Sequence, residues 1–293
     1  MNLPDLVSVP CPLCENPHNS TEYKINSIAI VKCTVCNFVY ANPRLTKEKI
    51  IELYHSNYFD NESIGYNHYL KTEYLRKKNF EKWIKDSLSY VPNFNNRSAL
   101  DIGCAAGVCR EELTKSGFYA EGEELNHPYA GIAKRKGFIV YNNPLLASAI
   151  SRKYNLITLF DVLEHLSDIR LHLCKMYDLL EKNGALVIVT PNYGSAFRKI
   201  SGRKWFQFKP LEHINYFTLH TLKKAAGSAG FEIVLSKKAG QYCDWNFLDE
   251  RLSKYKLKRL RFITKMIFSL FSNKNKLMYI PTSSLYVILK KAS

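Results

Sequence analysis

Ser98-Ala-Leu-Asp101-Ile-Gly103-Cys104-Ala105-Ala106-Gly107-Val108 is the stretch that decides the fold. Ser98 to Ile102 is a short apolar run that reads as a strand. It breaks at Gly103 into a turn of small residues, and a helical pattern follows from about Val108 to Ser116. Gly117 stands where a helix ends on a residue free to take a positive φ. A strand feeding a small-residue turn and then a helix lets a ligand come close to the backbone at a helix N-terminus. The next expected strand, Phe118 to Glu123, runs into Glu124. An acid about twenty positions beyond the turn is where Rossmann-type sites read ribose hydroxyls.

Outward from this unit, strands and helices continue to alternate. Tyr154 to Phe160 reads as a buried strand, followed by Asp161-Val-Leu-Glu164-His165-Leu. Gly184 to Asn192 reads as another strand and its following loop. After His213-Ile-Asn-Tyr-Phe217-Thr comes a helix to Ala229, a strand opening at Gly230-Phe231, and a last apolar strand, Ser284 to Leu289. Such alternation predicts an α/β fold. The turn itself is not a dinucleotide loop, because it lacks G-x-G-x-x-G and carries alanine at position 105.

The D-x-G-x-x-x-G pattern at Asp101 to Gly107 resembles motif I of class I S-adenosylmethionine-dependent methyltransferases. The later strands resemble that family's fourth to seventh, over roughly residues 96–293. The chain is most similar to the methyltransferase-23 type, members of which often carry a zinc-binding N-terminal unit. The resemblance implies a Rossmann-like seven-stranded sheet with helices on both faces, S-adenosylmethionine as cofactor, and methyl transfer as the reaction. It implies a cofactor site built from Asp101, Gly103, Cys104, Ala105, Gly107, Glu124, Leu125, Asn143, Phe160 and Asp161. Asp101, Gly103, Ala105 and Gly107 would line the methionine end, and Glu124 would hold the ribose. Phe160 and Asp161 would border the sulfonium. Two positions depart from the pattern: alanine at 105 replaces a usual glycine, and Asn142 or Asn143 stands where an aspartate often lies beside adenine.

Methyl transfer from an activated sulfonium depends mainly on positioning, with a base needed only for a protonated acceptor. His165 and His213 are the candidate catalytic bases, although Glu164-His165 also suits a packing and capping role. Asp161, Glu164 and His165 look similar, besides, to a metal-binding cluster of ubiquinone-pathway O-methyltransferases. The family's base-amino members use an Asn/Asp-Pro-Pro-aromatic motif, which Asp161-Val-Leu-Glu164 does not match.

At the other end of the chain, Cys11-Pro-Leu-Cys14 and Cys33-Thr-Val-Cys36 form two C-x2-C knuckles. This spacing points four thiolates at one ion and predicts a structural zinc site, with no position left open for catalysis. So short a segment cannot bury enough apolar surface to fold unaided, so the metal would supply the missing stability. Tyr23 to Val31 and Val35 to Tyr40 read as strands of this module. Thr46 to His55 reads as a helix capped by Thr46, and Asn67 to Ser89 as a second helix whose apolar residues serve docking. The expected division is a zinc-ribbon module at 1–44, a helical linker or cap at 45–95, and the methyltransferase domain at 96–293.

A net charge of +16 favours anionic partners. Its distribution is uneven. Tyr193 to Phe217 reads as a long binding loop mixing Arg198, Lys199, Arg203, Lys204 and Lys209 with Trp205, Phe206 and Phe208. The insertion at 251–276 carries nine basic residues and no acidic one, with an apolar stripe at helical spacing. A basic amphipathic helix of this kind suits an anionic membrane surface. No signal peptide or apolar span long enough for a membrane is evident, so the expected location is cytoplasmic, peripheral at the inner membrane face. The expected acceptor is an anionic small molecule, sugar or glycan, methylated at O, N or C. The competing reading is a zinc-ribbon methyltransferase acting on RNA.

Overall fold

The computed structural model describes residues 6–25, 28–55, 69–92, 96–254, 258–269 and 277–292. The chain begins with β1 (Leu6–Val7), β2 (Asn19–Ile25), β3 (Ile28–Cys33), β4 (Val39–Asn42) and β5 (Arg44–Leu45). β2, β3 and β4 form an antiparallel sheet, with Ile25 opposite Ile28 and Val31 opposite Tyr40. The single strand expected over Tyr23 to Val31 is therefore parts of two strands facing each other. Alternation sets the two faces of this sheet, because successive residues of a strand point to opposite sides. Ile28, Ile30, Val39 and Ala41 pack on one side. Val31, Cys33, Phe38 and Tyr40 join the main core on the other.

Two helices follow, α1 (Lys47–His55) and α2 (Glu73–Ser87). Thr46 Oγ1 accepts the Lys49 N–H at 3.3 Å, the cap expected of it. The helix expected over Asn67 to Ser89 is observed as α2 between two single 3-10 turns, and its first two residues lie outside the described chain.

The central unit contains β6 (Ser98–Ile102), α3 (Val108–Lys115), β7 (Tyr119–Glu123), α4 (His127–Arg135), β8 (Val140–Tyr141) and β9 (Tyr154–Phe160). It continues through α5 (Ile169–Leu179), β10 (Leu180–Pro191), α6 (Ala196–Ser201), β11 (Asn215–Tyr216), α7 (Leu219–Ser228) and β12 (Phe231–Cys243). It ends with α8 (Trp245–Lys254), α9 (Lys258–Ser269) and β13 (Met278–Lys291). Seven of these strands form one sheet in the order β12-β13-β10-β9-β6-β7-β8. β10, β9, β6, β7 and β8 are parallel, while β13 runs antiparallel to both β10 and β12. The seven-stranded sheet with a reversed last strand is thus present. Both faces are covered, so the strands read as continuous apolar runs. Leu100, Ile157 and Ile188 meet α5 and α7 on one face. Ala99, Leu156 and Val187 meet Trp83 and Ile84 of α2 and Leu113 of α3 on the other.

The segment expected as an open binding loop between Tyr193 and Phe217 is instead built into the N-terminal module. β11 adds to the edge of β4, with Asn215 opposite Tyr40 and Tyr216 opposite Val39. Trp205 and Phe208 are buried against Ile30, Val39 and Tyr216, so their rings form core rather than a platform for a ligand. Apolar burial at a sheet face has outweighed the exposure that the flanking arginines and lysines suggested. The insertion at 251–276 is helical at α8 and α9 rather than one helix, and Arg261 grips Asp249 through two bonds of 2.6 and 2.8 Å. Phe262, Ile263 and Met266 of α9 are exposed. Tyr255, Leu270 and Phe271 of the expected stripe lie outside the described residues. Among the described residues no helix is long and apolar enough to cross a membrane.

Candidate functional site

A cavity of about 300 Å³ opens at the carboxyl ends of β6, β7 and β9, where open α/β sheets bind ligands. Gly103 and Ala105 from the turn after β6, Glu123 and Glu124 at the end of β7, and Phe160 and Asp161 at the end of β9 form its floor. Pro144, Leu145 and Leu146 give an apolar side; Tyr54 of α1 and Arg76, Phe80 and Trp83 of α2 cover it. Two non-glycine residues of this wall are left-handed, Ala105 at φ +45° and Asp161 at φ +55°. Such strain concentrates at functional sites, and it explains why glycine is usual at the position of Ala105.

Of the expected cofactor residues, Gly103, Ala105, Glu124, Leu125, Phe160 and Asp161 line the cavity. Asp101, Cys104, Gly107 and Asn143 do not. Asp101 is buried behind the turn, where its Oδ1 accepts from Thr158 Oγ1 at 2.6 Å. Its Oδ2 has no partner. Cys104 packs against Gly122, whose added Cβ would lie 2.5 Å from the sulfur. Gly107 is the left-handed cap of α3. Asn143 is exposed, and its neighbour Asn142 donates instead to the Glu124 carbonyl.

Glu124 holds the turn together. Its Oε2 accepts the Ala105 N–H at 2.8 Å and its Oε1 the Asn126 N–H at 2.7 Å. Each carboxylate oxygen retains a second lone pair for a ligand. Burial pushes the Glu124 carboxyl up to about 7 against the pull of these amides. Burial, then the Glu124 charge, pushes Glu123 up to about 8. Asp161 rises to about 6 through burial, moderated by Arg76 and Lys209. Sequence reasoning placed Arg76 nowhere. It shares a helical face with Tyr69, Phe80 and Trp83, and a basic residue within that apolar stripe was the available signal.

A group whose pKa is raised on folding stabilises the fold fully below its unfolded value, and that stability is lost as pH rises through the folded value. For Glu123 this window runs from the ordinary glutamate range up to about 8. The ligand-free protein should therefore lose melting temperature relative to a Glu123→Gln variant as pH rises from about 6.5 to 8.5. Melts in matched buffers test this, and a difference independent of pH would contradict it.

Behind the cavity wall lies a second buried group. His165 lines the cavity, whereas His213 stacks edge-on behind it with ring centroids 4.8 Å apart. His165 Nδ1 bonds the Glu212 carbonyl at 2.9 Å, and His213 Nδ1 bonds the Gln207 carbonyl at 3.0 Å. Burial lowers His165 to about 3, although the Glu212 and Asp161 carbonyls pull it up. Burial and the neighbouring His165 lower His213 well below its ordinary value. Both rings are therefore neutral at ordinary pH. Glu164 Oε2 accepts from Thr190 Oγ1 at 3.0 Å, while its buried Oε1 has no hydrogen-bond partner.

The four N-terminal cysteines converge. Cys11 and Cys36 sulfurs lie 3.4 Å apart, and those of Cys14 and Cys33 lie 3.5 Å apart. Thiolates about 2.3 Å from a tetrahedral zinc would stand about 3.8 Å apart. Both knuckles share one geometry. Glu15 (φ +58°) and Asn37 (φ +61°) follow the second cysteine of each, and their N–H groups bond the carbonyls of Cys11 and Cys33 at 2.8 and 3.1 Å. Burial raises the Cys33 thiol, but the Cys36 and Val35 amides and the Asn16 side chain outweigh it and bring it down to about 6. This donor set fits a tetrahedral ion.

The family of methyltransferase domains named methyltransferase-23 matches residues 66–236, more than half of the chain. The chain belongs to this family. The match starts within the segment expected as a linker or cap, so it takes in α2. The ubiquinone biosynthesis O-methyltransferase of Bartonella quintana (strain Toulouse) is 25% identical over 126 residues, 41% of this chain and 51% of that protein. The chain spans about half the length of the curated relatives it matches. A SAM-dependent methyltransferase from Archaeoglobus fulgidus aligns with TM-score 0.52 and 21% identity, covering 76% of this chain and 99% of that one. Magnesium protoporphyrin IX methyltransferase from Synechocystis PCC 6803, solved with bound SAH, aligns with TM-score 0.53 and 14% identity, covering 85% and 100%. These two likenesses establish the shared fold.

Proposed function

We propose that the chain transfers a methyl group from S-adenosylmethionine to a small-molecule, sugar or glycan-type acceptor, and that its four-cysteine module holds a structural zinc. The observation that carries the reading is the cavity floor. One wall combines an amide-braced acid at Glu124, a tight small-residue turn at Gly103 and Ala105, and an acid opposite a base at Asp161 and Arg76. These fit the parts of the cofactor in turn: Glu124 for ribose hydroxyls, Leu125, Pro144, Leu145 and Leu146 for adenine, Asp161 for the ammonium, Arg76 for the carboxylate. S-adenosylmethionine supplies a methyl already activated on a sulfonium. The chain's own work is to bind, orient and exclude water, and positioning of this kind can supply most of the rate. His165 is a weak general base, because a nitrogen held near 3 takes a proton poorly at neutral pH. Asp161-Val-Leu-Glu164 departs from the Asn/Asp-Pro-Pro-aromatic motif of base-amino methyltransferases, which supports this reading over a nucleic-acid substrate.

Calorimetry with S-adenosylhomocysteine tests the reading. Glu124→Ala should weaken binding ten- to a hundredfold, since hydrogen bonds to a charged group contribute about 1.5–3 kcal/mol. Absence of binding to the wild type, or equal binding by the variant, would reject it.

A further inference from the structure

Two amides in the cavity have no task in holding the cofactor. Asn79 of α2 and Gln241 of β12 both line it. Hydrogen bonds on either side of Gln241 fix where it stands. The Tyr242 N–H donates to Asn79 Oδ1 at 2.5 Å, and Trp83 Nε1 donates to the Gly240 carbonyl at 3.2 Å. This clamps the edge of β12 to the face of α2 that carries Arg76, Asn79, Phe80 and Trp83, residues spaced for one side of a helix. Among the described residues, neither the Gln241 side chain nor Asn79 Nδ2 has a hydrogen-bond partner. Asn79 is 8% exposed, and a buried donor left open in this way calls for a partner. We propose that Asn79 and Gln241, with Phe80 and Trp83, form the acceptor's side of the cavity and select an uncharged acceptor that presents a hydroxyl or amide group. The proposal rests on the S-adenosylmethionine reading, which leaves these four residues unassigned.

Charge balance selects the class of acceptor. Of the 42 lysines and arginines in the chain, Lys47 and Arg76 line the cavity. Lys47 Nζ stands 2.8 Å from Asp168 Oδ2, and Arg76 serves the cofactor carboxylate. Burial keeps the two lining imidazoles neutral, lowering His165 to about 3 and His172 below its ordinary value. An anionic acceptor would therefore meet Glu123, Glu124 and Asp161 with no cation left to it, and burying an unpaired charge is costly. The basic surface that favours anionic partners lies elsewhere on the chain. A side-chain amide, in contrast, offers two donors and an acceptor without charge. Such groups can match a hydroxyl or an amide in either direction. The same face adjoins the transferring methyl. Phe80 stacks on Phe160 with centroids 5.6 Å apart, and Trp83 meets that ring edge-on at 5.2 Å. Phe160 is the residue that the resemblance puts beside the sulfonium. Apolar rings with a few placed polar groups are the usual make-up of a small-molecule pocket.

The full-length protein is incubated with CD3-labelled S-adenosylmethionine and a deproteinised extract of the cells that make it. The extract is first divided by ion exchange into anionic, cationic and uncharged fractions, and mass spectrometry finds the compounds that gain the label. Label should enter the uncharged fraction. With that compound as substrate, Gln241→Leu should lower kcat/KM about tenfold, chiefly through KM, the order expected when one buried hydrogen bond is lost. Gln241→Asn should restore part of it. Asn79→Asp keeps the acceptor for the Tyr242 N–H, removes the open donor, and should also raise KM. Label confined to the anionic or cationic fraction overturns the proposal, as does a Gln241→Leu protein as active as the wild type. No labelled product from a wild type that binds S-adenosylhomocysteine overturns it too. Failure to bind S-adenosylhomocysteine at all is the separate result that rejects the cofactor reading beneath it.

Discussion

Cys33→Ser, or removal of the proposed zinc by a chelator, should lower the melting temperature by roughly 10 °C and expose the segment that carries His213. Structural zinc contributes more than enough folding free energy to account for a loss of about 4 kcal/mol, and a domain of this size loses about 2–4 °C per kcal/mol. The effect should spread because the module is spliced into the larger unit. The Ala41 N–H bonds the Ile214 carbonyl at 2.9 Å, and Ile214 in turn bonds the Glu164 carbonyl. Asn215 Nδ2 reaches the Leu166 carbonyl at 2.7 Å, and Arg44 reaches Ser167 at 3.2 Å. Phe38 packs at a tilt against Phe217 with centroids 5.1 Å apart. Hydrogen exchange should therefore quicken at Ile214 and Asn215 as well as around the cysteines. Unchanged protection at Ile214 in a Cys33→Ser protein would mean that the module is an ornament on an independent fold.

That splice was the part of the fold least legible in the sequence. The βαβ core was legible because local patterns agreed with the tertiary result: Tyr154 to Phe160 is mostly apolar sequence, broken only by Asn155 and Thr158, and a strand buried on both faces. The two C-x2-C pairs were legible because ligand spacing is local. β11 is two residues long and pairs with a strand some 175 positions earlier, a long-range fact that no periodicity carries. The same blindness made Trp205 and Phe208 look like ligand-binding aromatics, since arginines and lysines beside them gave the segment a surface composition. At the site, Glu124 and Asp161 were readable from position in the motif. The orientation of α2, and with it Arg76, depended on packing against α3 and β12, which the motif does not encode.

Gly103→Val should weaken S-adenosylhomocysteine binding by about a hundredfold or more, whereas Gly107→Ala should cost stability with little change in affinity. The resemblance places both glycines at the methionine end, yet they meet different neighbours. At φ +71°, any side chain at position 103 is strained, and its Cβ would stand 2.5 Å from Val162 Cγ2. The backbone there cannot yield, because the Gly103 N–H is held by the Glu123 carbonyl at 2.8 Å. Strain of about 1–3 kcal/mol, added to that contact, falls on two residues of the cavity wall. At φ +82°, a Cβ on Gly107 would meet Phe138 at 2.6 Å, on the far side of the turn. Val162→Ala separates the two causes at position 103. Combined with Gly103→Ala it removes the contact and leaves the backbone strain, so part of the lost affinity should return and a double-mutant cycle should show coupling. Wild-type affinity in Gly103→Val, or a larger loss of affinity in Gly107→Ala, would place the cofactor elsewhere than on this turn.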